Sequence, residues 1–405
     1  MSRNTTGEQM VNDTSSTHLS PNDRWLSANV LLISFSACFA DLGYQAVLAV
    51  FPLFLVNQLA APAYMFGIAT AISYGPGAAF GLIGGRMGDK YGHKKMALAG
   101  NLLIPLLSLA GLATNAAGAI SLFAGGWWAR NFRSPPRRAM LAEVVVPANR
   151  AKAFGFLHAL DIGGGFLAAT AALLLLLAHV ALWKIFLFTI VPLLCSSLVL
   201  SFVRAGRSGA VIPQTTGAKT AAEEHSDRKL YRRLLWATGL YGFSSFSFGF
   251  PIITVDQATH SPAMAVLSYV VFFGISALAG LATGHLAGRG VRFLAIGGYA
   301  IGAIGTAGMG VVGLLHWPYA LYYLCVSLMG LALGVIETLE PAILSRIIPK
   351  GSTGGGMGAL TATRSLGLFA ANIVMGVLYQ HGPMWSYGYA AVLAFAAAIV
   401  MLAAE

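Results

Sequence analysis

Seven ionisable side chains lie inside long runs of apolar residues. Burying a charged group among apolar neighbours is costly unless the group is paired or used. These residues are therefore the first candidates for binding a proton, an ion or a polar ligand. They are Asp41, Arg130, Arg133, Asp161, Glu337, Glu340 and Arg364.

The spacing of Arg130 and Arg133 places both arginines on one face of a helix. Arg130 and Arg133 are three residues apart, and the two glutamates are spaced in the same way. Residues at this spacing share a helix face, and such a face must be turned to protein or water rather than to lipid. We expect the two arginines to contact Asp41 and Asp161.

The signs of the seven charges do not balance, because three are positive and four are negative. We expect Arg364 to contact Glu337 or Glu340, which leaves one carboxylate without a cation of its own. A carboxylate that shares an arginine is a candidate proton carrier. Glu337 or Glu340 is the first candidate for this role, and Asp41 is the second. The alternative is that these residues form structural ion pairs between helices.

The elements that position these residues must be membrane helices. The chain has 405 residues, of which 57% are hydrophobic and 10% are charged, and its mean hydropathy is +0.72. Soluble domains carry about 25% charged residues, and a soluble protein of this length cannot hide so much apolar surface in one core. The composition therefore indicates a protein that uses the lipid bilayer as its solvent.

Twelve apolar segments follow one another along the chain, and each has the roughly 20 residues that a spanning helix needs. Most are rich in Gly and Ala, which suits close helix packing in lipid. The sequence therefore predicts an all-α integral membrane protein with twelve transmembrane helices. The predicted segments are 26–56, 63–86, 95–114, 117–143, 152–179, 182–204, 233–256, 263–287, 291–315, 318–347, 354–379 and 384–404.

The basic residues are concentrated in alternate loops. The net charge is +11 and the isoelectric point is about 9.7. Basic pairs such as Lys94–Lys95 and Arg232–Arg233 fall on one side of the predicted membrane, and Lys184 is the main exception on the other side. Because cytoplasmic loops carry the excess of Lys and Arg, we expect both termini in the cytoplasm. This distribution accounts for the positive charge without nucleic-acid binding.

The longest internal polar stretch divides the twelve segments into six and six. We expect a disordered cytoplasmic tail over 1–24 and a six-helix bundle over 25–204. A cytoplasmic linker over 205–232 then leads to a second six-helix bundle over 233–405. Two parallel halves of this kind are typical of internally repeated transporters.

The loop after the second segment combines glycine, acidic and basic residues at fixed spacing. It reads GRMGDKYGHKK from Gly85 to Lys95. This run resembles the loop 2–3 signature of the major facilitator superfamily. The resemblance implies a latch that biases the switch between two conformations, with Asp89 holding a basic partner across the interface between the halves. The latch residues are Gly85, Asp89, Lys90, Gly92 and Lys94.

A degenerate second copy of the signature follows the eighth segment. It reads GHLAGRGVR from Gly284 to Arg292. This copy keeps the glycines and basic residues but lacks the aspartate and is one residue shorter. It supports a duplicated chain with an asymmetric latch.

The fourth and fifth segments extend the resemblance. The runs RNFRSPPRR over 130–138 and HALDIGGG over 158–165 resemble a bacterial branch of the superfamily, with Arg130 at the position of the expected helix 4 arginine. The resemblance covers 26–404 and implies a bacterial inner-membrane protein. Drug–proton antiporters usually carry a Gly-Pro pair in helix 5, whereas this chain has three glycines and no proline there.

The two halves resemble each other with their charges reversed. The fourth segment carries Arg-x-x-Arg before a proline, and the tenth carries Glu-x-x-Glu before Pro341. The following segments contribute Asp161 in the first half and Arg364 in the second. We expect equivalent helices to place these charges at equivalent positions.

Aromatic residues near the centres of several segments could line a cavity, although such residues more often serve in packing or as interface anchors. The candidates are Trp127, Trp128, Tyr241, Phe246, Phe248 and Tyr269.

The resemblance implies a secondary transporter that works by rocking-type alternating access, with its substrate site between the halves. We expect proton coupling and export of a small organic molecule. The chain lacks a nucleotide-binding loop of the Gly-rich Lys-Ser/Thr type, so we do not expect an enzyme, a cofactor or a bound metal. The expected partners are a small-molecule substrate, protons and the lipid bilayer, with no nucleic acid.

Three alternatives stay open. The protein could take up an anionic nutrient with protons, and its buried arginines would then grip the anion. It could carry a metal or metal chelate through Asp41, His260 and Met264. It could also be a non-transporting sensor on the same fold. The fold does not choose the cargo.

Overall fold

The computed structural model describes residues 25–146, 149–204, 221–285, 290–347 and 353–403. Within these ranges the regular elements are helices. The all-helical prediction is therefore confirmed for the described part of the chain.

The predicted tail over 1–24 lies outside the described residues, and so does the predicted linker over 205–220. The remainder of that linker, 221–232, is helical and continues directly into the seventh helix.

The first half of the described chain forms six long helices, whose bounds follow the predicted segments closely. They are α1 (Ala28–Gln58), α2 (Ala63–Tyr91), α3 (His93–Leu112), α4 (Ala116–Val144), α5 (Arg150–Leu177) and α6 (Leu182–Ser201).

The second half forms a matching series, in which the seventh helix consists of two pieces. The series is α7a (Ala221–Ser244), α7b (Gly249–Thr259), α8 (Pro262–His285), α9 (Gly290–Leu314), α10 (Ala320–Ile347), α11 (Thr353–Tyr379) and α12 (Pro383–Leu402).

The break in α7 corrects the prediction of one continuous segment over 233–256. Residues 245–248 are not helical. Pro251 lacks an N–H, and its ring crowds the carbonyl of Ser247, four residues earlier. The N–H of Ser247 is satisfied instead by Asn372 Oδ1 of α11 at 3.0 Å. Non-helical backbone at membrane depth is tolerated only where it is buried in protein or lines a cavity.

Nine helices in the described part of the chain are long and apolar enough to cross a membrane. Of the remaining three, α4 carries four arginines, α7 is broken, and α11 is apolar over Thr363–Tyr379. Large apolar side chains such as Leu174, Val191 and Phe202 are exposed on the outside of the bundle. Such a surface is suited to lipid rather than to water.

The helices pack mainly with neighbours from the same half. In the first half α1 packs against α5 and α6, and α2 packs against α4. In the second half α8 packs against α10, and α9 packs against α10 and α12. Contacts between the halves run mainly through α2 with α11, α5 with α8, and α1 with α7b, and smaller contacts join α1 to α8 and α2 to α7b.

In the part of the chain that the structure describes, the contacts between the halves lie between the middle of the bundle and one of its ends. We call the end with Lys94–Lys95 and Arg204 the basic end, and the end with the α1–α2 connection the opposite end. Near the opposite end, Asn57 Nδ2 of α1 donates to Asp256 Oδ2 of α7b at 2.7 Å. Nearer the middle, Thr70 Oγ1 of α2 donates to Asn372 Oδ1 of α11 at 3.0 Å.

Close backbone contact between α2 and α11 strengthens this junction. A Cβ atom on Gly67 would lie 2.6 Å from the carbonyl oxygen of Asn372 and 2.8 Å from the Cα atom of Gly376. Only residues without a side chain allow two helix backbones to approach so closely.

Candidate functional site

A cavity of about 290 Å³ lies in the middle of the bundle, beside the break in α7. Ser244 at the end of α7a and residues 245–248 of the break form part of the cavity wall. Tyr74 of α2 closes the cavity from the first half. Both halves of the chain therefore contribute to the cavity. Its aromatic lining consists of Tyr74, Tyr241, Phe246, Phe248, Tyr269 and Phe272.

Four of the six aromatic residues proposed from the sequence are confirmed as cavity residues. The two tryptophans serve in packing instead. The ring of Trp127 stands edge-on to those of Tyr44 and Tyr74, and Trp128 Nε1 donates to the carbonyl oxygen of Ile72 at 3.0 Å.

Arg364 of α11 and Glu337 of α10 form the charged part of the cavity wall, and Arg364 also contacts the buried Glu340 of α10. Its Nη1 donates to Glu337 Oε1, and its Nη2 donates to Glu340 Oε2 at 2.8 Å. The sequence analysis expected one of these contacts, and the structure has both. The i,i+3 spacing on α10 explains this, because it presents both carboxylates to one arginine.

The two glutamates differ in their surroundings. The side chain of Glu337 is 47% exposed and lines the cavity, whereas that of Glu340 is 1% exposed. Glu340 also accepts a hydrogen bond from the hydroxyl of Tyr299, a buried residue of α9. One arginine thus serves an accessible carboxylate and a buried one, and the group has a net charge of −1 when all three are ionised.

In the first half, Asp41 and Arg130 are joined through a tyrosine. The hydroxyl of Tyr44 donates to Asp41 Oδ1, and Arg130 Nη2 donates to the oxygen of that hydroxyl at 3.3 Å. The guanidinium group of Arg130 also lies over the rings of Tyr44 and Trp127, at 5.3 and 5.1 Å from their centroids. Tyr44 therefore links Asp41 and Arg130, for which the sequence analysis predicts a direct ion pair.

Arg133 does not make the expected contact with Asp41 or Asp161. This side chain is fully buried, and its Nη1 donates to Asn101 Oδ1 of α3 at 2.8 Å. Asn101 Nδ2 in turn donates to the hydroxyls of Ser196 and Ser197 on α6. Arg133 therefore lacks a carboxylate partner among the described residues, and its guanidinium group is held by Asn101 instead.

Arg137 is not among the seven ionisable residues selected from the sequence, yet it makes the contact with Asp161 that was expected of Arg130 or Arg133. Its Nη2 lies 3.3 Å from Asp161 Oδ2 of α5, and its side chain is 3% exposed. The helix α4 continues through Pro135 and Pro136 to Val144, so Arg137 lies one turn beyond Arg133 inside the bundle. A buried Arg137 was not evident in the sequence because two consecutive prolines normally indicate a helix end.

Including Arg137 changes the charge count. The first-half cluster now holds three arginines and the two aspartates, and the second-half cluster holds one arginine and two glutamates. The clusters therefore carry +1 and −1 when their side chains are ionised. The surplus carboxylate predicted from the sequence lies in the second-half cluster, where Glu337 and Glu340 share one arginine.

Several buried polar atoms of the first-half cluster have no hydrogen-bond partner in the described chain. They include Nε and Nη2 of Arg133, Nε and Nη1 of Arg137, and Oδ1 of Asp161. Buried polar groups normally have a partner, so this cluster can accept water or a polar ligand.

The predicted latch lies at the basic end. Gly92 has φ +97° and ends α2, and Lys90 Nζ lies 5.1 Å from the ring centroid of Tyr91. Asp89 Oδ1 lies 3.0 Å from His93 Nε2. The described partner of Asp89 is thus a histidine of its own half, whereas the sequence analysis expected a basic residue across the interface.

The other parts of the signature are less informative. Gly85 approaches Pro135 of α4, since a Cβ atom there would lie 3.6 Å from that ring. Lys94 is half-buried at the start of α3. Residues 286–289 of the second copy of the signature, 284–292, lie outside the described residues.

The sequence profile of the Major Facilitator Superfamily matches residues 33–371, more than half of the chain. The chain belongs to the Major Facilitator Superfamily. This confirms the resemblance inferred from Gly85–Lys95. The fold and family are those of transporters, and the protein is a multi-pass membrane protein with the twelve-helix superfamily fold.

Known members of the superfamily match along nearly the whole chain. An uncharacterised MFS-type transporter of Methanocaldococcus jannaschii is 22% identical over 396 residues, which cover 94% of this chain and 96% of the relative. The crystal structure of a D-xylose–proton symporter has a TM-score of 0.74 at 14% identity, over 92% of this chain and 96% of that one. A nucleoside transporter has a TM-score of 0.71 at 14% identity, over 92% of this chain and 99% of that one.

A metal site finds no support in this superfamily member. The described residues contain no group of three or more His, Cys, Asp or Glu side chains placed to hold a metal ion. His260 instead ends α7b in the left-handed conformation, with φ +50°. The metal-carrier alternative therefore gains nothing from the structure.

Proposed function

We propose that this protein is a proton-coupled secondary transporter that exports a small organic solute by alternating access. We place it in a bacterial inner membrane with both termini in the cytoplasm, as the basic loops predict. The observation that carries the proposal is the sharing of Arg364 between Glu337 and Glu340 on the wall of the central cavity.

This arrangement suits a proton carrier. An arginine cannot release its proton in a protein, so the carboxylates must change charge if the group changes charge. A net charge of −1 in an apolar surrounding is costly, and one proton on either glutamate removes it. Glu337 reaches the cavity and Glu340 is buried, so a proton can enter through the first and be held by the second.

The contacts between the halves support alternating access. They join the halves from the middle of the bundle to the opposite end, which closes that end. The cavity then faces the basic end, and in the proposed orientation this state is open to the cytoplasm. Rocking of the two six-helix bundles about the cavity produces the other state.

A second candidate function is uptake of an anion together with protons. The observation that favours it is the surplus arginine of the first-half cluster, with unpartnered N–H groups on Arg133 and Arg137. An anion among these groups would neutralise the cluster and complete their hydrogen bonding.

The test is proton flux in proteoliposomes that contain the purified protein and a pH-sensitive dye. A panel of organic cations, neutral solutes and anions is added, and the Glu340→Gln variant is measured beside the wild type. We expect one class of solute to trigger proton movement in the wild type and to trigger none in Glu340→Gln, because glutamine cannot carry the proton. The control is Thr338→Val, whose hydroxyl bonds the carbonyl of Gly334 within its own helix.

The same assay can contradict the proposal. Solute movement without a proton signal, unchanged in Glu340→Gln, indicates a uniporter or another coupling ion. Full transport by a protein in which Glu340 and Arg364 exchange places identifies the group as a structural ion pair. A proton signal triggered only by anions favours the second candidate function.

A further inference from the structure

The cavity wall offers a negative charge that its own arginine does not neutralise. Among the described lining residues the charged ones are Glu337 and Arg364. Both terminal nitrogens of Arg364 are used, one by each glutamate. Glu337 remains 47% exposed and can therefore accept a further cationic partner from the cavity.

Aromatic rings surround the place where such a partner would lie. The ring of Phe248 is 4.3 Å from that of Phe272 and 5.1 Å from that of Tyr269, measured between centroids. The ring of Tyr241 already holds a cation, since the guanidinium carbon of Arg364 lies 5.8 Å from its centroid. Aromatic faces attract cations and pack well against apolar groups.

We infer that the cargo of this cavity is a monovalent organic cation with an apolar body about the size of one aromatic ring, with its charge at Glu337. The inference rests on the transport function proposed above and specifies its substrate class. A cavity of about 290 Å³ accommodates a body of this size, and the surplus charge of −1 sets the valence.

An anionic cargo does not fit this cavity. Both terminal nitrogens of Arg364 are bonded to carboxylates, and its Nε is buried without a partner in the described chain. An anion that bonds the terminal nitrogens would have to displace a carboxylate and leave it unpaired, which is costly. The four arginines of α4 are absent from the described residues that line the cavity. They cannot serve an anion there without a rearrangement of the wall.

A cationic cargo and a proton compete for the same surplus charge. Glu337 is faced by Arg364 from α11, by Tyr241 from α7a and by Glu340 of its own helix, with Tyr299 of α9 behind Glu340. One proton or one cargo cation neutralises this group, and both together leave it positive. The competition couples export of the cation to entry of the proton.

The test is equilibrium binding of radiolabelled benzyltrimethylammonium to the purified full-length protein in detergent. Phenylmethanesulfonate and neopentylbenzene are the anionic and neutral competitors of similar shape. We expect saturable binding that is displaced by organic cations and not by these two competitors. Binding should weaken as the pH is lowered, because protons neutralise the carboxylates.

The variant Glu337→Gln should weaken binding about tenfold, the effect of losing one partly exposed ion pair. The variant Glu337→Asp keeps the charge and should retain most of the affinity. It also provides a test if the glutamine variant fails to fold. Thr338→Val, one residue along the same helix, serves as the control and should bind as the wild type does.

Three results overturn the inference. They are absence of saturable cation binding to the wild type, equal or tighter binding of the anionic or neutral analogue, and unchanged affinity in Glu337→Gln. Equilibrium binding needs no proton gradient, so its result can be distinguished from that of the flux assay. Proton-coupled movement of another solute would leave the proposed function intact and make the cargo class wrong. Cation binding without proton flux would support the cargo class and contradict proton coupling.

Discussion

His93 shows at the scale of one residue how the basic end is held together. Its Nδ1 lies 2.6 Å from Glu143 Oε1, and its Nε2 lies 3.0 Å from Asp89 Oδ1. A neutral imidazole carries one N–H, so only the imidazolium form donates to both carboxylates. When protonated, His93 therefore ties the ends of α2 and α4 to the start of α3.

We predict that this tie weakens as the pH rises. Protonation completes both hydrogen bonds, so their contribution to stability is present at low pH and is lost as the pH rises and the proton leaves. In thermal unfolding the wild type should lose about 1 kcal/mol relative to His93→Arg as the pH rises. The control is His381→Arg, which makes the same exchange at an exposed position. Parallel pH profiles for His93→Arg and the wild type would contradict the prediction.

The sequence was a good guide to which side chains matter and a poorer guide to their partners. The i,i+3 spacing on α10 anticipated the contacts of Arg364, because spacing alone decides which side chains share a helix face. The partner of Arg133 could not be anticipated, since it depends on how α3 and α6 are turned about their axes. The burial of Arg137 depends on a helix that continues through two prolines.

At the scale of helices, the junction of α2 and α11 depends on contact between backbones. The Cα atom of Gly376 and the carbonyl of Asn372 occupy the space that a side chain on Gly67 would need. Because neither is the flexible end of a side chain, neither can move aside without shifting the helix.

We predict that Gly67→Ala forces α2 and α11 apart. The closed conformation of the opposite end should lose about 2 kcal/mol of stability, a value typical of overpacking. The control is Gly163→Ala on α5, where an added Cβ atom meets nothing within 4 Å.

The measurement is the distance between nitroxide labels at the exposed positions 178 and 319 of the opposite end. Gly67→Ala should shift the distance distribution to longer values, and Gly163→Ala should leave it as in the wild type. Identical distributions for both variants would show that the backbone contact does not determine closure.

Hydropathy predicted the existence and approximate bounds of the helices, because burial in lipid depends on apolar composition over about 20 residues. It could not predict the break in α7, since the apolar run over 233–256 continues through it. The local signals were the serines of 244–247, Gly249 and Pro251, which weaken a helix without changing its hydropathy.

At the scale of the whole molecule, the closed opposite end depends on contacts between the first and last six helices. Asn57 and Asp256 join α1 to α7b, and Tyr269 of α8 donates to Gln45 of α1 at 3.1 Å. The proposed rocking of two six-helix bundles predicts that these contacts separate during each transport cycle.

We predict that linking positions 57 and 256 stops transport. A protein carries Asn57→Cys and Asp256→Cys in a background without the native cysteines at 38, 195 and 325. It is treated with a short bis-methanethiosulfonate, which links the two thiols through reducible disulfide bonds. Proton-coupled flux in proteoliposomes should be lost on linking and return on reduction. The single variant Asn57→Cys is the control, and full flux in the linked protein would contradict separation at this end.

The opposite charges of the two clusters have a consequence for the energetics of the transport cycle. A unit charge that crosses the full membrane potential gains or loses about 2.3 kcal/mol per 100 mV. The first-half cluster carries +1 and the second-half cluster −1, so their displacements in the field compensate only while neither a proton nor a cargo cation is bound. The proposed exchange of one monovalent cation for one proton moves no net charge over a full cycle. An exchanger of this kind responds to the pH gradient and not to the membrane potential.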